Sequence, residues 1–330
     1  MQTMITQHDV LHARNTIRPY IFRTPLRGSF LLSERVGVSV HLKLENWQIG
    51  GSFKLRGALN RMAALADAER ARGIVTASAG NHALGIGYAA RALNVSPATI
   101  FVPRTASRTK LAKLREFPVE VRQVGETYDD AQHAADAFAR ATGATFIHAY
   151  DDPRTVAGQG TIGLEILEDL PNVDAILVPV GGGGMITGIA VAAKALAPAV
   201  RIVGIQTDVS PALRDSLRDN KCYEEYAHGP TICEGLAGGI GKMVFEAAQK
   251  KLIDDVVIVT EEDVRGAIRA LAETEQLIVE GSGAVGLAAL LTRAIDLRGK
   301  CVVVVVSGGN IDLTLLKEIL REDERRRTES

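Results

Sequence analysis

Residues 175–185 read Ala-Ile-Leu-Val-Pro-Val-Gly-Gly-Gly-Gly-Met, and this stretch decides the fold class of the 330-residue chain. Its apolar part, 175–180, is short and uninterrupted, which is typical of a strand buried on both faces of a parallel sheet. The glycines predict a tight turn, and Met185 to Ala197 has the pattern of a helix. A strand followed by a turn and a helix is the repeating unit of α/β proteins.

The same alternation of strands and helices runs through most of the chain. A second apolar run, Val302–Val306, predicts another strand buried on both faces, starting at Cys301. Further strands are predicted at 38–45, 74–77, 98–102, 119–124, 144–148, 201–206 and 256–259. Helices are predicted at 8–17, 53–65, 81–93, 108–116, 127–141, 155–170, 261–273 and 284–294. The chain is therefore predicted to be an α/β protein with two open, mainly parallel twisted sheets flanked by helices.

The arrangement of these elements predicts two domains, in keeping with a length of 330 residues. Residues 73–149 contain a strand-and-helix series of their own and are predicted to form a small domain. Residues 1–72 and 150–330 are predicted to join into a larger domain built on the second sheet. Within it, 207–253 has weak periodicity and many turn residues, which predicts a partly irregular segment.

Composition and charge exclude several classes of function. The formal net charge is −1, so the chain has no basic footprint for nucleic acid. No apolar run reaches the roughly 18 residues of a membrane span, and the N-terminus has no basic-then-apolar signal segment. The three cysteines, Cys222, Cys233 and Cys301, form neither a disulfide framework nor a zinc pattern. We expect a cytoplasmic protein that acts on a small molecule, without a metal, a membrane or nucleic acid, and a homodimer as the base-rate oligomer.

The segment 45–58, Glu-Asn-Trp-Gln-Ile-Gly-Gly-Ser-Phe-Lys-Leu-Arg-Gly-Ala, contains the first candidate for chemistry. Its two glycines release the chain from a strand, and Ser52 is expected to cap the helix that follows. Lys54 then falls in the first turn, where the positive end of the helix dipole disfavours a charged amine and lowers its pKa. A neutral amine is what Schiff-base chemistry requires. A single helix lysine is usually an exposed structural residue, so the assignment depends on the other motifs.

The glycine turn is the candidate site for an anion. Its backbone N–H groups can converge, and the N-terminus of the next helix adds positive potential, so phosphate is the expected ligand. The spacing matches neither the Gly-x-Gly-x-x-Gly dinucleotide fingerprint nor the P-loop, which argues against a nicotinamide oxidoreductase. A turn without a ligand would need only one or two glycines. The residues predicted to hold the phosphate are Gly181, Gly182, Gly183, Gly184 and Met185.

The predicted strand 74–77 is followed by a loop that opens the next helix, formed by Ser78, Ala79, Gly80, Asn81 and His82. Serine and asparagine cap helices, and the exposed N–H groups of the next helix would accept a carboxylate. The alternative is a helix cap without a ligand, and His82 by itself is more often a structural histidine than an acid–base group. The loop is therefore a candidate for binding a substrate carboxylate.

Two more polar turns complete the set: Ser307 to Asn310 follows the valine strand, and Glu280 precedes a glycine-containing segment. Ligands of open α/β sheets gather beyond the carboxyl ends of the strands, so these turns are expected to converge with Lys54. A phosphate turn, an amine, a carboxylate-binding loop and a strand-end hydroxyl together describe a phosphorylated aldehyde cofactor, held as an imine beside an amino acid.

Four of these motifs resemble those of the pyridoxal-phosphate-dependent serine/threonine dehydratase family, which includes serine racemases. They are 52–58, 78–82, 181–185 and 307–310, and the likeness extends over nearly the whole chain. Each motif alone is unspecific, but four in this order are highly specific. The resemblance implies the tryptophan-synthase-β-like fold, known as fold type II, and pyridoxal 5'-phosphate as the cofactor.

The resemblance also implies roles for individual residues. Lys54 forms the imine with the cofactor and, once freed, removes the α-proton of the substrate. The other implied contacts are Phe53 with the cofactor ring, Asn81 with the ring hydroxyl, Gly181–Met185 with the phosphate, Ser307 with the pyridine nitrogen, Glu280 near the ring, and the 78–82 loop with the substrate carboxylate. A neutral hydroxyl at the pyridine nitrogen stabilises a pyridinium less than a carboxylate would, which favours early loss of a β-hydroxyl.

The implied activity is the dehydration and deamination of L-threonine or L-serine to a 2-oxo acid and ammonia, through aminocrotonate or aminoacrylate. The same reaction on 3-hydroxyaspartate or a hydroxyectoine breakdown product, as in ectoine degradation, stays open because 234–240 departs from the threonine enzymes. A serine racemase is less expected, since racemases have a second serine where this chain has Ala79. A non-catalytic cofactor carrier is a different class, against which the intact Lys54 and loops argue.

The chain departs from the family pattern at three further points, which bear on a cation site and on regulation. Gln206 stands where members with a divalent-cation site have a glutamate, so no such cation is expected. Glu234 replaces a common aspartate. The chain ends soon after the last motif, so we expect no regulatory domain and no feedback by isoleucine through one.

Overall fold

The computed structural model describes residues 4–106 and 108–328. Within these ranges, ten strands form two sheets. Every predicted strand is present, and the first strand of the chain is an addition. The strands are β1 (Leu26–Ser29), β2 (Ser39–Leu44), β3 (Ile74–Ala77), β4 (Ala98–Val102), β5 (Glu120–Gln123), β6 (Thr145–Phe146), β7 (Ala175–Pro179), β8 (Arg201–Thr207), β9 (Asp255–Val259) and β10 (Cys301–Val306).

Helices flank both sheets, and every predicted helix is present with ends displaced by at most three residues. The helices are α1 (Gln7–Ile17), α2 (Phe30–Val36), α3 (Lys54–Ala63), α4 (Asp67–Arg72), α5 (Asn81–Leu93), α6 (Arg108–Arg115), α7 (Tyr128–Thr142), α8 (Pro153–Asp169), α9 (Gly184–Leu196), α10 (Ala212–Arg218), α11 (Lys242–Gln249), α12 (Glu261–Glu275), α13 (Gly281–Leu291) and α14 (Leu313–Thr328). The sequence did not predict α2, α4, α10, α11 or α14. The first four have eight residues or fewer, too few for a clear 3.6-residue period.

The six-stranded sheet has the order β1-β2-β10-β7-β8-β9, and the four-stranded sheet has the order β5-β4-β3-β6. β1 runs antiparallel to β2, whereas all other neighbours are parallel. The prediction of two mainly parallel sheets is therefore confirmed. Because parallel strands share one carboxyl edge, the turns after β2, β7 and β10 lie along the same side of the larger sheet.

The valine run of β10 follows from its central position in the larger sheet. Val302 and Val304 pack with residues of α12 and α13 on one face, whereas Val303 and Val305 pack with residues of α9 on the other. All four are fully buried. Side chains alternate between the faces of a strand, so a strand covered by helices on both sides needs an apolar residue at each position.

Helix α3 is held against α8 at backbone contact. A Cβ at Gly158 of α8 would lie 2.5 Å from the carbonyl oxygen of Arg56, and a Cβ at Gly57 of α3 would lie 2.7 Å from the carbonyl oxygen of Thr155. Glycine at both positions allows this approach. The contact fixes the start of α3, and with it Lys54, relative to the larger sheet.

The strands of the four-stranded sheet all come from 73–149, the range predicted as a small domain. The strands of the six-stranded sheet come from the ranges before and after it. The division into two domains itself stays a prediction. In the part of the chain that the structure describes, no helix has the length and apolar character that a membrane span needs.

Candidate active site

Lys54 is the first residue of α3, as the sequence predicts for a lysine in the first helical turn. Its Nζ donates a hydrogen bond to the carbonyl oxygen of Ala149 at 3.1 Å and lies 5.1 Å from the centre of the Phe53 ring. Burial desolvates the amine and lowers the pKa of Lys54 to about 8, although the carboxylate of Glu280 acts in the opposite direction. The lowered pKa was expected, and desolvation of the amine is its largest cause.

Ser52 does not cap α3, so this prediction was wrong. The N-cap position is Phe53, which has helical backbone angles, and no side chain among the described residues caps this helix end. Ser52 instead pairs with Gly308 in an isolated antiparallel bridge, and the Phe53 N–H donates to the carbonyl oxygen of Ser307 at 3.1 Å. The bridge needs extended backbone at Ser52, and it joins the lysine turn to the turn after β10.

The glycine turn leaves no room for side chains. A Cβ at Gly181 would lie 2.3 Å from the carbonyl oxygen of Gly235, and a Cβ at Gly182 would lie 2.2 Å from the ring of Tyr150. Gly183 has φ +88°, in the left-handed region that favours glycine. The turn leads into α9, which begins at Gly184 and continues with the buried Met185. The first N–H groups of α9 therefore form a compact, positively polarised surface for an anion.

Two consecutive residues after β6 join Lys54 to the glycine turn. Ala149 accepts the hydrogen bond from Lys54, and the ring of Tyr150 packs on Gly182. The backbone of Tyr150 is also close, since a Cβ at Gly184 would lie 2.5 Å from its carbonyl oxygen. Sequence reasoning missed both residues, although they directly follow the predicted strand 144–148. The amine and the anion surface are thus neighbours in space.

The turn 78–82 leaves the N-terminus of α5 without a side-chain cap among the described residues. The N-cap position is Gly80, and the Ser78 hydroxyl accepts a hydrogen bond from the Gly80 N–H at 3.2 Å within the turn. Ala79 packs against the apolar core of the smaller sheet. Neither Ser78 nor Asn81 caps the helix, so the alternative of a capping role alone is not supported. The first N–H groups of α5 remain available to a carboxylate.

His82 is a buried structural histidine in this arrangement. Its Nε2 lies 3.1 Å from the hydroxyl oxygen of Thr76 and 3.2 Å from the carbonyl oxygen of Ile147. The Thr76 hydroxyl donates to the same carbonyl, so Nε2 carries the proton and donates to both oxygens. Burial, reinforced by the nearby Lys54, lowers the pKa of His82 to about 3. The ring is therefore neutral at physiological pH.

Asn81 and Glu280 meet across the two sheets. The Asn81 Nδ2 donates a hydrogen bond to Glu280 Oε1 at 2.7 Å. Asn81 begins α5, and Glu280 is the N-cap residue of α13. The backbone N–H of Glu280 donates to the carbonyl oxygen of Gly308 at 3.2 Å. The pair brings the 78–82 loop, the 280 turn and the turn after β10 to one place.

Ser307 follows β10 and is buried. Its hydroxyl donates a hydrogen bond to the carbonyl oxygen of Ser282 at 3.4 Å, so an oxygen lone pair and no formal charge are present at this position. The arrangement as a whole fits a phosphorylated aldehyde. A desolvated amine for the aldehyde lies beside the glycine turn, and no side chain of the described residues caps the helix N-terminus that this turn opens.

Residues 17–308 match the family described as pyridoxal-phosphate dependent enzyme. The chain belongs to this family. The predicted cofactor, pyridoxal phosphate, and the predicted fold type II are thereby confirmed for this pyridoxal-phosphate-dependent enzyme.

Named relatives and solved structures extend this family assignment. The enzyme is 45% identical over 320 residues to the L-threonine ammonia-lyase of Thermotoga maritima, which covers 97% of this chain and 79% of the relative. It is 39% identical over 322 residues to the catabolic L-threonine dehydratase TdcB of Staphylococcus aureus, with 96% and 92% covered. The processed threonine deaminase isoform 2 of Solanum lycopersicum has a TM-score of 0.90 at 33% identity, with 96% and 86% covered. Maize serine racemase has a TM-score of 0.89 at 32% identity, with 98% and 100% covered.

Proposed function

We propose that the protein is an ammonia-lyase that uses pyridoxal phosphate to dehydrate and deaminate L-threonine or L-serine to a 2-oxo acid and ammonia. The observation that carries the proposal is the desolvated amine of Lys54, held by Ala149 beside the glycine turn. The identity of 45% to an enzyme named L-threonine ammonia-lyase supports this substrate class.

Each residue of the site is proposed to contact a different part of the cofactor. Lys54 binds the aldehyde carbon, and the ring of Phe53 packs on the cofactor ring. The N–H groups of Gly181, Gly182, Gly183, Gly184 and Met185 hold the phosphate. Asn81 would donate to the ring hydroxyl, Ser307 would face the pyridine nitrogen, and Glu280 would lie near the ring.

The chemistry divides between the cofactor and the protein. Bound pyridoxal phosphate withdraws electrons from the α-carbon of an amino acid joined to it. Lys54 Nζ, neutral in half of the molecules near pH 8, accepts the α-proton. The N–H groups at the start of α5, from Asn81 and His82 onwards, hold the substrate carboxylate. Ser307 would place a neutral hydroxyl at the pyridine nitrogen, and the lack of a charge there would favour early departure of the β-hydroxyl.

The overall reaction neither releases nor consumes water. The β-hydroxyl leaves with a proton as one water molecule, and one water molecule later hydrolyses the released enamine. L-threonine therefore yields 2-oxobutanoate and ammonium, and L-serine yields pyruvate and ammonium. No oxidant or reductant is consumed.

A second candidate function is the same reaction on another β-hydroxy amino compound, either 3-hydroxyaspartate or a hydroxyectoine breakdown product. The divergent segment 234–240 supports it by its position. Its 3₁₀ turn, Glu234–Leu236, packs on the glycine turn through the carbonyl oxygen of Gly235, next to the proposed phosphate position. A serine racemase is the weaker alternative, because the methyl group of Ala79 cannot carry a proton.

A substrate panel tests this choice. We expect L-threonine or L-serine to release ammonia and 2-oxo acid in equal amounts, at least about tenfold faster than 3-hydroxyaspartate, because pocket fit alone discriminates by such factors. The measurement couples ammonia and 2-oxo acid assays, with D-threonine as the stereochemical control and chiral analysis of unreacted serine. Release from 3-hydroxyaspartate alone would favour the second candidate, and D-serine as the main product would favour a racemase. No 2-oxo acid from any compound would refute a lyase.

We also propose a homo-oligomer, a homodimer in the simplest case, in which a second copy covers an apolar patch. Phe22, Trp47 and Ile278 are 60%, 50% and 54% exposed. The segments that carry them are neighbours: Gln48 exchanges hydrogen bonds with the backbone of Phe22, and Asn46 donates to the carbonyl oxygen of Ile278. Exposed large apolar side chains on adjacent segments are typical of an interface. A cytoplasmic location is a separate proposal. It is supported by Cys222, Cys233 and Cys301, which are free thiols and therefore fit a reducing compartment.

Substituting the patch should weaken self-association. Trp47→Ser with Ile278→Ser is expected to shift the protein toward monomer, because both changes remove apolar area from the proposed interface. Size-exclusion chromatography with light scattering at several concentrations measures the shift. Leu196→Ser is the matched control, since Leu196 is 51% exposed at the far end of α9. A wild-type protein that is monomeric at all concentrations would refute the proposal.

A further inference from the structure

Four side chains form a hydrogen-bonded series across the site. Lys113 Nζ donates to Asn310 Oδ1 at 3.2 Å, Asn310 Nδ2 donates to Asn81 Oδ1 at 2.8 Å, and Asn81 Nδ2 donates to Glu280 Oε1 at 2.7 Å. Asn310 Nδ2 also donates to the carbonyl oxygen of Gly50 at 2.8 Å. The series begins on α6 beside the smaller sheet and ends at the N-cap of α13 beside the larger one.

The direction of the series follows from its ends. A side-chain amide can turn over, because one end donates and the other accepts. The ends of the series have no such freedom: the ammonium of Lys113 only donates, and the carbonyl of Gly50 and the carboxylate of Glu280 only accept. Asn310 must therefore offer its oxygen to Lys113 and its nitrogen to Gly50. Its nitrogen then also meets Asn81, so Asn81 accepts at Oδ1 and presents Nδ2 on its other side.

We propose that Asn310 is a positioning residue that sets the direction of the Asn81 amide, so that an Asn81 N–H faces the ring hydroxyl oxygen of pyridoxal phosphate. The inference rests on the proposed function, which gives Asn81 that contact. The Asn81 nitrogen carries two hydrogens, and Glu280 accepts one of them, which leaves the other for the cofactor.

The backbone around Asn310 leaves it little room to move. A Cβ at Gly51 would lie 2.9 Å from the Asn310 amide, and a Cβ at Gly308 would lie 2.4 Å from Glu280 Oε1. Gly309 is tied to the same turn, since its N–H donates to the carbonyl oxygen of Gly51 at 2.9 Å. The turn after β10 therefore holds Asn310 and Glu280 on either side of Asn81.

The substitution Asn310→Asp tests the direction of the amide. A carboxylate has the same shape but only accepts, so it opposes the Asn81 oxygen and competes with Glu280 for the Asn81 nitrogen. In the molecules where the amide turns over, the Asn81 oxygen faces Glu280 and the cofactor oxygen. We expect the dissociation constant for pyridoxal phosphate to rise about tenfold, the equivalent of one hydrogen bond. The pH at half-maximal visible absorbance of the bound cofactor should rise, because the anion of the ring oxygen loses a donor. Both are measured by removing the cofactor from the purified enzyme and titrating it back.

Matched variants separate this effect from a general loss of structure. Asn172→Asp makes the same chemical change at an exposed turn at the amino end of β7, and it should bind the cofactor like the wild type. Lys113→Met removes the outer donor but keeps the hydrogen bond from Asn310 to Gly50. We therefore expect the dissociation constant for pyridoxal phosphate to rise about two- to threefold. Asn310→Ala frees the Asn81 amide without reversing it, and we expect the dissociation constant for pyridoxal phosphate to rise about threefold. This variant decides the question if Asn310→Asp does not fold by circular dichroism.

The outcomes distinguish this inference from the proposed function. If Asn310→Asp and Asn310→Ala both bind pyridoxal phosphate with wild-type affinity and absorbance, the positioning role is wrong and the proposed function is unaffected. A lower activity with unchanged affinity and absorbance also contradicts the positioning role. If the wild-type protein itself shows no visible absorbance with pyridoxal phosphate, the proposed function fails and this inference fails with it.

Discussion

Lys54→Ala is expected to abolish turnover, with a loss on the order of 10⁴-fold or more, and to remove the visible absorbance of the bound cofactor. The reason is that the Lys54 amine is the group proposed to bind the cofactor aldehyde and to move the α-proton. Its neighbours, Ala149 and Phe53, have no amine to replace it. The measurement is 2-oxo acid release together with an absorbance spectrum after incubation with pyridoxal phosphate.

Two controls accompany this variant. Lys54→Arg keeps the positive charge but has no amine that becomes neutral near pH 8, so we expect the same loss. Lys250→Ala removes an exposed lysine that pairs with Glu246 on the surface of α11, and its activity should match the wild type. Turnover retained by Lys54→Ala in a protein with unchanged circular dichroism would refute the assignment.

Arg56→Met is expected to cost about 3–5 kcal/mol in the free energy of unfolding, because it leaves buried carboxylates without their partner. Arg56 is fully buried, and all five of its N–H groups are used. Two pairs reach Glu45 and Glu165, and the fifth reaches the hydroxyl of Thr161 at 3.0 Å. Burial disfavours the charge, but the two carboxylates outweigh it and raise the pKa of Arg56.

The unfolding experiment uses urea, and the midpoint is interpreted only where the slope is unchanged. Arg56→Lys keeps the charge but has three donors on one nitrogen, so it should recover part of the loss. Arg298→Met is the control: Arg298 pairs with Asp296 on the surface at 2.7 Å, and such pairs contribute less than about 1 kcal/mol. A loss at Arg56 no larger than at Arg298 would show that the buried network is not needed for stability.

The network also accounts for a buried lysine on β2. Lys43 lies on β2 and is fully buried, with Nζ 2.6 Å from the carbonyl oxygen of Thr24 and 2.5 Å from Glu165. Two positive and two negative side chains thus balance each other between β2, the turn that follows it, α3 and α8. The strand alternation indicates that Lys43 faces away from its apolar neighbours, but its partner on α8 lies 122 positions later in the chain. Only the packing of α3 on α8 brings the four charges together.

Several errors of sequence reasoning have the same origin. Ser52 has the side chain of a helix cap, but a bridge to Gly308, 256 positions later, holds its backbone extended. Asn310 was part of a recognised motif without a role, because its partners Gly50 and Asn81 are distant in the chain. Tyr150 was not singled out, although its ring lies on Gly182. Each error concerns a contact between segments that are far apart in sequence.

The sequence by itself determined nine of the ten strands and nine of the fourteen helices in the described residues, the mainly parallel sheets and the glycine turn that opens α9. These features depend on hydrophobic periodicity and on the backbone freedom of glycine, which are local properties of the chain. The tertiary structure decided that Lys54 lies against Ala149, 95 positions away, and that its amine is desolvated. A lysine pKa and the direction of an amide depend on which distant groups surround them, and burial by other segments sets both.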